Sequence, residues 1–304
     1  MGSPSREYAR PVSRPITVRL VGGLGNQLFG YYAGAALAAH HGVDLRLDTS
    51  WTRHGVTDHG IEILKFDLPG QWLDADSLRA RLTLPGTIAG RAVDKALRKS
   101  SLLRKPLRIH EAPDVGHDPT LMEQPPGARL RGYFQSWRIV QQAVDSGYPR
   151  RPALKECSSW LDAMMRRAES ERPLAVHVRR GDYIRLPEFG LLGPTYYEPA
   201  IELLRAEGVA GPIWLFSDDP GEARRALGRY ADVASVISSP EGPATEMLAM
   251  SYAAGNVIAN STFSWWGAWM RGEGGPVVSP DRWLTPELLP NDVLPPDWRT
   301  QRAT

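Results

Sequence analysis

Residues 173–183 read PLAVHVRRGDY, and this stretch decides the fold. Pro173 stops a preceding helix, and Leu174–Arg179 is a short apolar run with β-branched residues, the pattern of a buried strand. Gly181 allows a bend. Arg179, Arg180 and Asp182 then fall at the strand's carboxyl end. The same alternation continues down the chain. A helix over Tyr196–Glu207 stops at Gly208, and a strand over Ile213–Ser217 runs into the turn Asp218-Asp219-Pro220. Helices over Glu222–Leu227, Thr245–Ala254 and Thr262–Arg271 separate strands over Val233–Ile237, Val257–Asn260 and Val277–Ser279. Strands alternating with helices in this way make a doubly wound parallel α/β domain. Ligands of such sheets sit beyond the carboxyl ends of the strands, here at 179–182, 217–219 and 260–262.

The N-terminal half repeats the theme less clearly. Ile16–Val21 reads as a strand, Gly22-Gly23-Leu24-Gly25 as a tight turn, and 26–41 as a helix with Leu28, Phe29, Tyr32, Ala35, Ala36 and Ala39 on one face. Gly42 ends that helix and Val43–Asp48 is the next strand, a βαβ unit. Asp74–Arg108 reads as helical with a break at Pro85-Gly86, Arg129–Phe134 as a strand and Ala153–Glu171 as a helix. The expected layout is a flexible tail over 1–15, an N-terminal α/β domain over 16–150, a C-terminal Rossmann-like domain over 151–284 and an extension over 285–304. Two α/β halves facing a cleft fit a GT-B-like architecture, and they also fit several dehydrogenases.

Composition narrows the classes. With 304 residues, 42% hydrophobic and 23% charged, the chain has ample apolar surface for two folded domains. A net charge of +2 is too balanced for a protein that lives on nucleic-acid backbones. Cys157 is the single cysteine, so an internal disulfide or Cys-zinc site is ruled out. No apolar run approaches the ~20 residues of a membrane span. The opening residues MGSPSREYARPVSRP lack a secretory core, so the expected location is cytoplasmic. Seven basic residues between Arg91 and Arg108 read as a solvated helix face or as peripheral contact with anionic lipid on the cytoplasmic side of the inner membrane.

Four segments carry chemistry. GGLGNQ (22–27) joins a strand to a helix, where N–H groups point at a ligand. Gly23 and Gly25 match two glycines of a dinucleotide fingerprint, Leu28 takes the third place, and Asp48 ends the next strand where a ribose-binding acid sits. An NAD(P)-dependent oxidoreductase therefore stands as one alternative, and a tight structural turn as another. Asn26 and Gln27 suit sugar hydroxyls better than phosphates. HVRRGDY (177–183) sets arginine forks, which bind phosphate oxygens in bidentate fashion, at a strand end. A structural Arg–Asp pair is the plainer reading. LFSDD (215–219) offers carboxylates for a ribose, a base edge or the arginines, or a simple turn before Pro220. NSTFSWWGAW (260–269) places hydroxyls at a helix start, with Trp265, Trp266 and Trp269 read as core. Asp74-Ala-Asp76 has manganese-type DxD spacing but suits a helix cap better, so no metal site is assigned. A non-catalytic glycan-binding protein is a further alternative. It would leave the Arg-Arg-Gly-Asp strand end idle.

These pieces, with GYFQSW (132–137) and YYEPAI (196–201), run in one order from Gly22 to Trp269. In that order they resemble glycosyltransferase family 11, the α-1,2-fucosyltransferases, especially the bacterial members. The resemblance implies a GT-B fold and GDP-fucose as donor substrate, with no cofactor and no metal. It implies inverting transfer of L-fucose to the 2-hydroxyl of a terminal galactose, in an oligosaccharide or lipid-linked surface glycan such as O-antigen. On the donor side it implies His177, Arg179, Arg180, Ser217, Asp218, Glu246, Asn260, Ser261, Thr262 and Ser264. Glu246 stands where many members have Asp. Arg179 is expected to stabilise the leaving diphosphate, with Asp182 as first candidate base and Glu188 behind it. Gly23, Gly25, Asn26, Gln27 and Gln135 are expected on the acceptor or cleft side.

Overall fold

The computed structural model describes residues 14–49, 60–73, 92, 95–96, 100–112, 116–185, 189–272, 275–283 and 292–303. Its strands form two parallel sheets. The first contains β1 (Ile16–Arg19), β2 (Leu45–Asp48), β3 (Gln71–Leu73), β4 (Ile109–Glu111) and β5 (Arg129–Arg131), in the order β3-β2-β1-β5-β4. Helix α1 (Leu24–His41) crosses from β1 to β2, and α2 (Trp137–Asp145) follows β5.

Helix α3 (Ser159–Glu171) leads into the second sheet. There β6 (Leu174–Val178), α4 (Pro194–Ala206), β7 (Ile213–Ser217), α5 (Pro220–Ala226) and β8 (Ala234–Val236) run outward in one direction. After α6 (Pro243–Ser251) the chain returns to the middle at β9 (Gly255–Val257). It then runs outward the other way through α7 (Thr262–Trp269), β10 (Val277–Pro280) and β11 (Arg299–Gln301). The resulting order, β11-β10-β9-β6-β7-β8, is that of a Rossmann sheet, whose binding crevice opens where the order reverses, between β6 and β9. The first sheet reverses between β1 and β5. The architecture is therefore GT-B-like, two Rossmann-like domains facing a cleft.

Several boundaries differ from expectation. The strand expected over Arg129–Phe134 ends at Arg131, and the one expected over Val257–Asn260 lies at Gly255–Val257. Two further differences have local reasons. The helix expected from Ala153 starts at Ser159, because Ser158 caps it, its Oγ accepting the Leu161 N–H at 2.9 Å. The residues before the cap instead run extended against the first domain. Asp67 N–H donates to the Ala153 carbonyl at 2.8 Å and Lys155 N–H to the Lys65 carbonyl at 2.9 Å. The segment expected as an extension supplies β11, the sixth strand of the second sheet. The 1–13 tail, most of 74–99 and the Asp74-Ala-Asp76 spacing lie outside the described residues.

The two halves share apolar packing. Phe29 of α1 lies 4.6 Å from Trp265 and 5.2 Å from Trp266 between ring centroids, and Tyr32 lies 4.8 Å from Trp266. Trp265 and Trp269, four residues apart on one helix face, stack at 5.2 Å. All three tryptophans are buried in one cluster that runs from Ile16 and Val18 to Trp214. Burying such rings is worth roughly 1.5–3 kcal/mol each, so this seam holds the facing strand ends in register with each other.

Candidate active site

The carboxyl end of β6 carries the charges. Arg179 Nη1 lies 3.1 Å from Asp218 Oδ2, and Asp218 Oδ1 accepts the Arg180 main-chain N–H at 2.9 Å. Asp218, the residue after β7, thus reaches across to the neighbouring strand with both oxygens. Glycine fits the bend between them, because a Cβ on Gly181 would press on Asp218 Oδ2 and push the carboxylate from its place. This explains the Arg-Arg-Gly-Asp order physically: the glycine makes room for the acid that holds the first arginine. Arg179 keeps 21% of its side chain exposed and also lies over the Tyr183 ring, 5.5 Å from its centroid.

Arg180 does different work. It is buried, and its guanidinium donates to the carbonyls of Arg179 (3.2 Å) and Leu192 (2.5 Å). Its fork is therefore directed at main chain and supports the loop after β6. That loop is tied to the one after β9. Tyr183 hydroxyl donates to the Asn260 carbonyl at 3.0 Å, and Asn260 Nδ2 donates to the carbonyls of Phe189 (2.5 Å) and Trp283 (3.3 Å). Asp182 has its main chain in the 3₁₀ turn 181–185. Glu188 lies outside the described residues.

His177 sits one residue inside the end of β6, 3% exposed, with its ring 5.4 Å from Phe263 near the start of α7. Burial, reinforced by the Arg179 charge, pulls its pKa down to about 3, so the imidazole is neutral, and Nδ1 has no hydrogen-bond partner among the described residues. Ser264, expected near the diphosphate, is buried and turned inward, its hydroxyl donating to the Ser261 carbonyl at 3.1 Å. Ser261 occupies the N-cap and Thr262 the first turn of α7, which has no acid there. Ser217 Oγ accepts the Asp219 N–H at 3.1 Å, and Asp219 caps α5 through the Glu222 N–H. These two residues build the turn. Glu246 shapes the loop after β8 by accepting the Ser239 N–H (2.8 Å) and the Ser238 hydroxyl (3.2 Å). Burial nonetheless raises its carboxyl above the ordinary range.

The first sheet's reversal point faces this one. Gly25 abuts α7: a Cβ there would lie 2.5 Å from the Thr262 carbonyl carbon and 2.7 Å from the Phe263 nitrogen. The Gly25 carbonyl accepts Trp266 Nε1–H at 2.9 Å. The starts of α1 and α7 therefore meet, and neither has an acidic residue in its first turn. A helix start without an acid in its first turn favours a bound anion, and at the α1 start that place is taken by the α7 main chain, which leaves the α7 start as the candidate. Asn26 Oδ1 accepts Gln135 Nε2 at 3.0 Å, and Gln135 Oε1 accepts Trp283 Nε1 at 3.0 Å. Gln27 is fully buried. Its amide donates to the carbonyls of Gly22 and Gly60, both at 2.9 Å, and accepts the Ile63 N–H at 3.2 Å. That uses its capacity on main chain, so it clamps the glycine turn. Gly23 is the N-cap of α1.

The same packing removes the dinucleotide reading of the glycine loop. The space a pyrophosphate would need over Gly25 holds the main chain of Thr262 and Phe263. Asp48 stands in register with Arg19 on the neighbouring strand. Cavities of about 300 and 340 Å³, lined by residues such as Arg172, Tyr252 and Leu248, open near the amino ends of β6 and β9 or beside α3. The strand-end rule and the charged groups both favour the opposite edge.

Residues 155–302 match glycosyl transferase family 11. An α-1,2-colitosyltransferase of Escherichia coli is 26% identical over 93% of this chain and 97% of that protein. The O-antigen biosynthesis glycosyltransferase WbnK of Escherichia coli is 41% identical over 52% of this chain and 56% of its own length. The galactoside 2-α-L-fucosyltransferase SEC1 of Bos taurus is 30% identical over 47% of this chain and 42% of its own length. A solved structure of an Arabidopsis thaliana FUT1 mutant in complex with GDP shares the fold, with a TM-score of 0.53 at 12% identity, over 94% of this chain and 76% of that one.

Proposed function

The chain belongs to glycosyltransferase family 11, and from that premise we propose that it transfers L-fucose from GDP-fucose to the 2-hydroxyl of a terminal galactose in a surface glycan. The supporting observation is the Arg179–Asp218 pair at the β6 reversal point, beside the acid-free start of α7. The diphosphate lies along that edge, against Arg179 and the Ser261–Thr262 turn. The acceptor oxygen attacks the anomeric carbon from the opposite face as the bond to the phosphate oxygen breaks. Configuration inverts, and the hydroxyl proton passes to a base, with Asp182 the first candidate and Glu188 the second. A guanidinium about 4 Å from the developing charge supplies roughly 4 kcal/mol at an effective dielectric near 20. With the helix end, it takes over the part a metal ion plays elsewhere.

Family likeness supports the donor, and the SEC1 name supports the linkage and acceptor class. The long alignment with the colitosyltransferase favours a second reading, in which colitose replaces fucose on the same nucleotide. Among the described residues no helix is long and apolar enough to cross a membrane. Leu102 and Leu107 stand exposed beside Arg104, Lys105 and Arg108, which supports peripheral contact with the cytoplasmic face of the inner membrane.

Transfer assays with GDP-fucose and GDP-colitose on a panel of β-galactosides, with linkage read by NMR, test the proposal. GDP should raise the melting temperature, and EDTA should leave turnover intact. Turnover that requires manganese, or a product linked elsewhere than the 2-hydroxyl, overturns it.

A further inference from the structure

The loop between β5 and α2 turns one aromatic ring outward. Gly132 has a φ of +123° and Phe134 one of +51°, the latter a left-handed conformation that a bulky residue rarely adopts. At Gly132 a Cβ would lie 2.7 Å from the Ala112 methyl, so the chain hugs β4 there. Phe134 is 1% exposed, and Gln135 and Ser136 are buried as well. Gln135 is held from both sides by Asn26 and Trp283, and Trp137 N–H donates to the Asp292 carbonyl at 2.9 Å. Between these anchors Tyr133 stands 38% exposed, at the carboxyl end of β5, where the first sheet reverses. Backbone strain held by surrounding structure at a binding edge points to function.

We propose that Tyr133 is the platform on which the acceptor sugar stacks. This rests on the reading of the enzyme as one that glycosylates a galactoside. An aromatic face attracts polarised C–H groups. In β-galactose the axial 4-hydroxyl leaves H3, H4 and H5 together on one ring face as an apolar patch. The equatorial 2-hydroxyl lies at the rim. Stacking that patch on Tyr133 covers the apolar face and leaves the 2-hydroxyl uncovered for attack. A β-glucoside, with its 4-hydroxyl equatorial, loses the polarised H4 from that face and stacks less well. Tyr133 is thereby a specificity residue for the galacto configuration, presented by the strained Phe134 turn and kept in place by Gln135.

Saturation-transfer NMR on methyl β-D-galactoside, with full-length protein and GDP, reads this contact without turnover. The wild type should saturate H3, H4 and H5 most strongly. Tyr133→Ala should lose that pattern and raise the acceptor KM about tenfold, with the GDP-induced rise in melting temperature unchanged. Tyr133→Phe should restore both the pattern and the KM, because the ring and not the hydroxyl makes the contact. An unchanged saturation pattern in Tyr133→Ala, or no restoration by Tyr133→Phe, overturns the platform. A wild type that shows the pattern yet transfers no fucose overturns the fucosyl reading and leaves the platform standing.

Discussion

The two reversal points of the molecule share a topology and differ in filling. Between β1 and β5 the edge carries amides that bond within the protein: Gln27 to three main-chain groups, Asn26 to Gln135, and Gln135 in turn to Trp283. Between β6 and β9 the strand ends carry a guanidinium clasped by a carboxylate. A Rossmann sheet offers a crevice at its reversal point, but the side chains decide whether protein or ligand fills it. Neutral amides there act as mortar, clamping the glycine turn and tying it to Trp283, with the Tyr133 ring left exposed at the edge. The charged pair is what an anionic substrate can read.

The strongest way to break this contrast is at Arg179. Arg179→Ala should lower kcat/KM by about 10²–10³, the cost of losing a preorganised charge aimed at a developing anion. The melting temperature should move little, because Asp218 still accepts the Arg180 N–H. Arg179→Lys supplies a point charge without the fork and should recover only a small part. Near-normal turnover in the lysine variant would remove bidentate phosphate recognition from the account.

The amide side should fail in the opposite manner. Gln27→Leu leaves the Gly22 and Gly60 carbonyls and the Ile63 N–H without that partner. At about 1–3 kcal/mol for a buried unsatisfied group, denaturant unfolding should show a loss of several kcal/mol. Turnover per folded molecule should stay near wild type. Gly25→Ala forces a methyl into the Thr262–Phe263 main chain and should destabilise by about 1–3 kcal/mol. Because backbone cannot swing aside as a side chain can, the α7 start must shift. The KM for GDP-fucose should then rise in parallel, which makes this variant the sharpest probe of how far the two reversal points are coupled.

Much of this was legible from residue order. The alternation from Pro173 onward gave the order of every strand of the second sheet except β11, because apolar runs bounded by Gly and Pro are short-range signals. The same pattern puts β9 at Val257–Asn260, whereas it lies at Gly255–Val257. Strand β11 (RTQ) carries no such pattern, since it is an exposed edge whose pairing comes from β10. Between residues 50 and 130, β3 and β4 are three residues each and half-polar, too short for a period to show. At the candidate site, residue type pointed to Arg179 and to the Asp218 turn, and the fold brings the two together. Only the fold separates the two adjacent arginines, one at the crevice and one bonded to the Leu192 carbonyl. The reason for Gly181 is likewise tertiary, as its neighbour Asp218 arrives from another strand.

The smallest expected effect concerns acid. Burial first, and the Arg179 charge second, keep the His177 imidazole neutral down to about pH 3 in the folded chain. The unfolded chain protonates the same ring near pH 6.5. Between these values the unfolded state binds a proton that the folded state refuses. The stability tied to His177 is therefore whole above about pH 6.5 and declines as pH falls toward 3. One proton is worth at most about 1.4 kcal/mol per pH unit, so acidification from pH 7 to 5 should cost about 2 kcal/mol from this group. His177→Gln is neutral throughout and should lose less stability than the wild type over that interval, with the two profiles parallel above pH 7. Profiles that stay parallel down to pH 5 would mean the ring takes up its proton in the folded chain. The second reversal point would then be wet beneath Arg179, and the contrast with the packed first one would rest on charge alone.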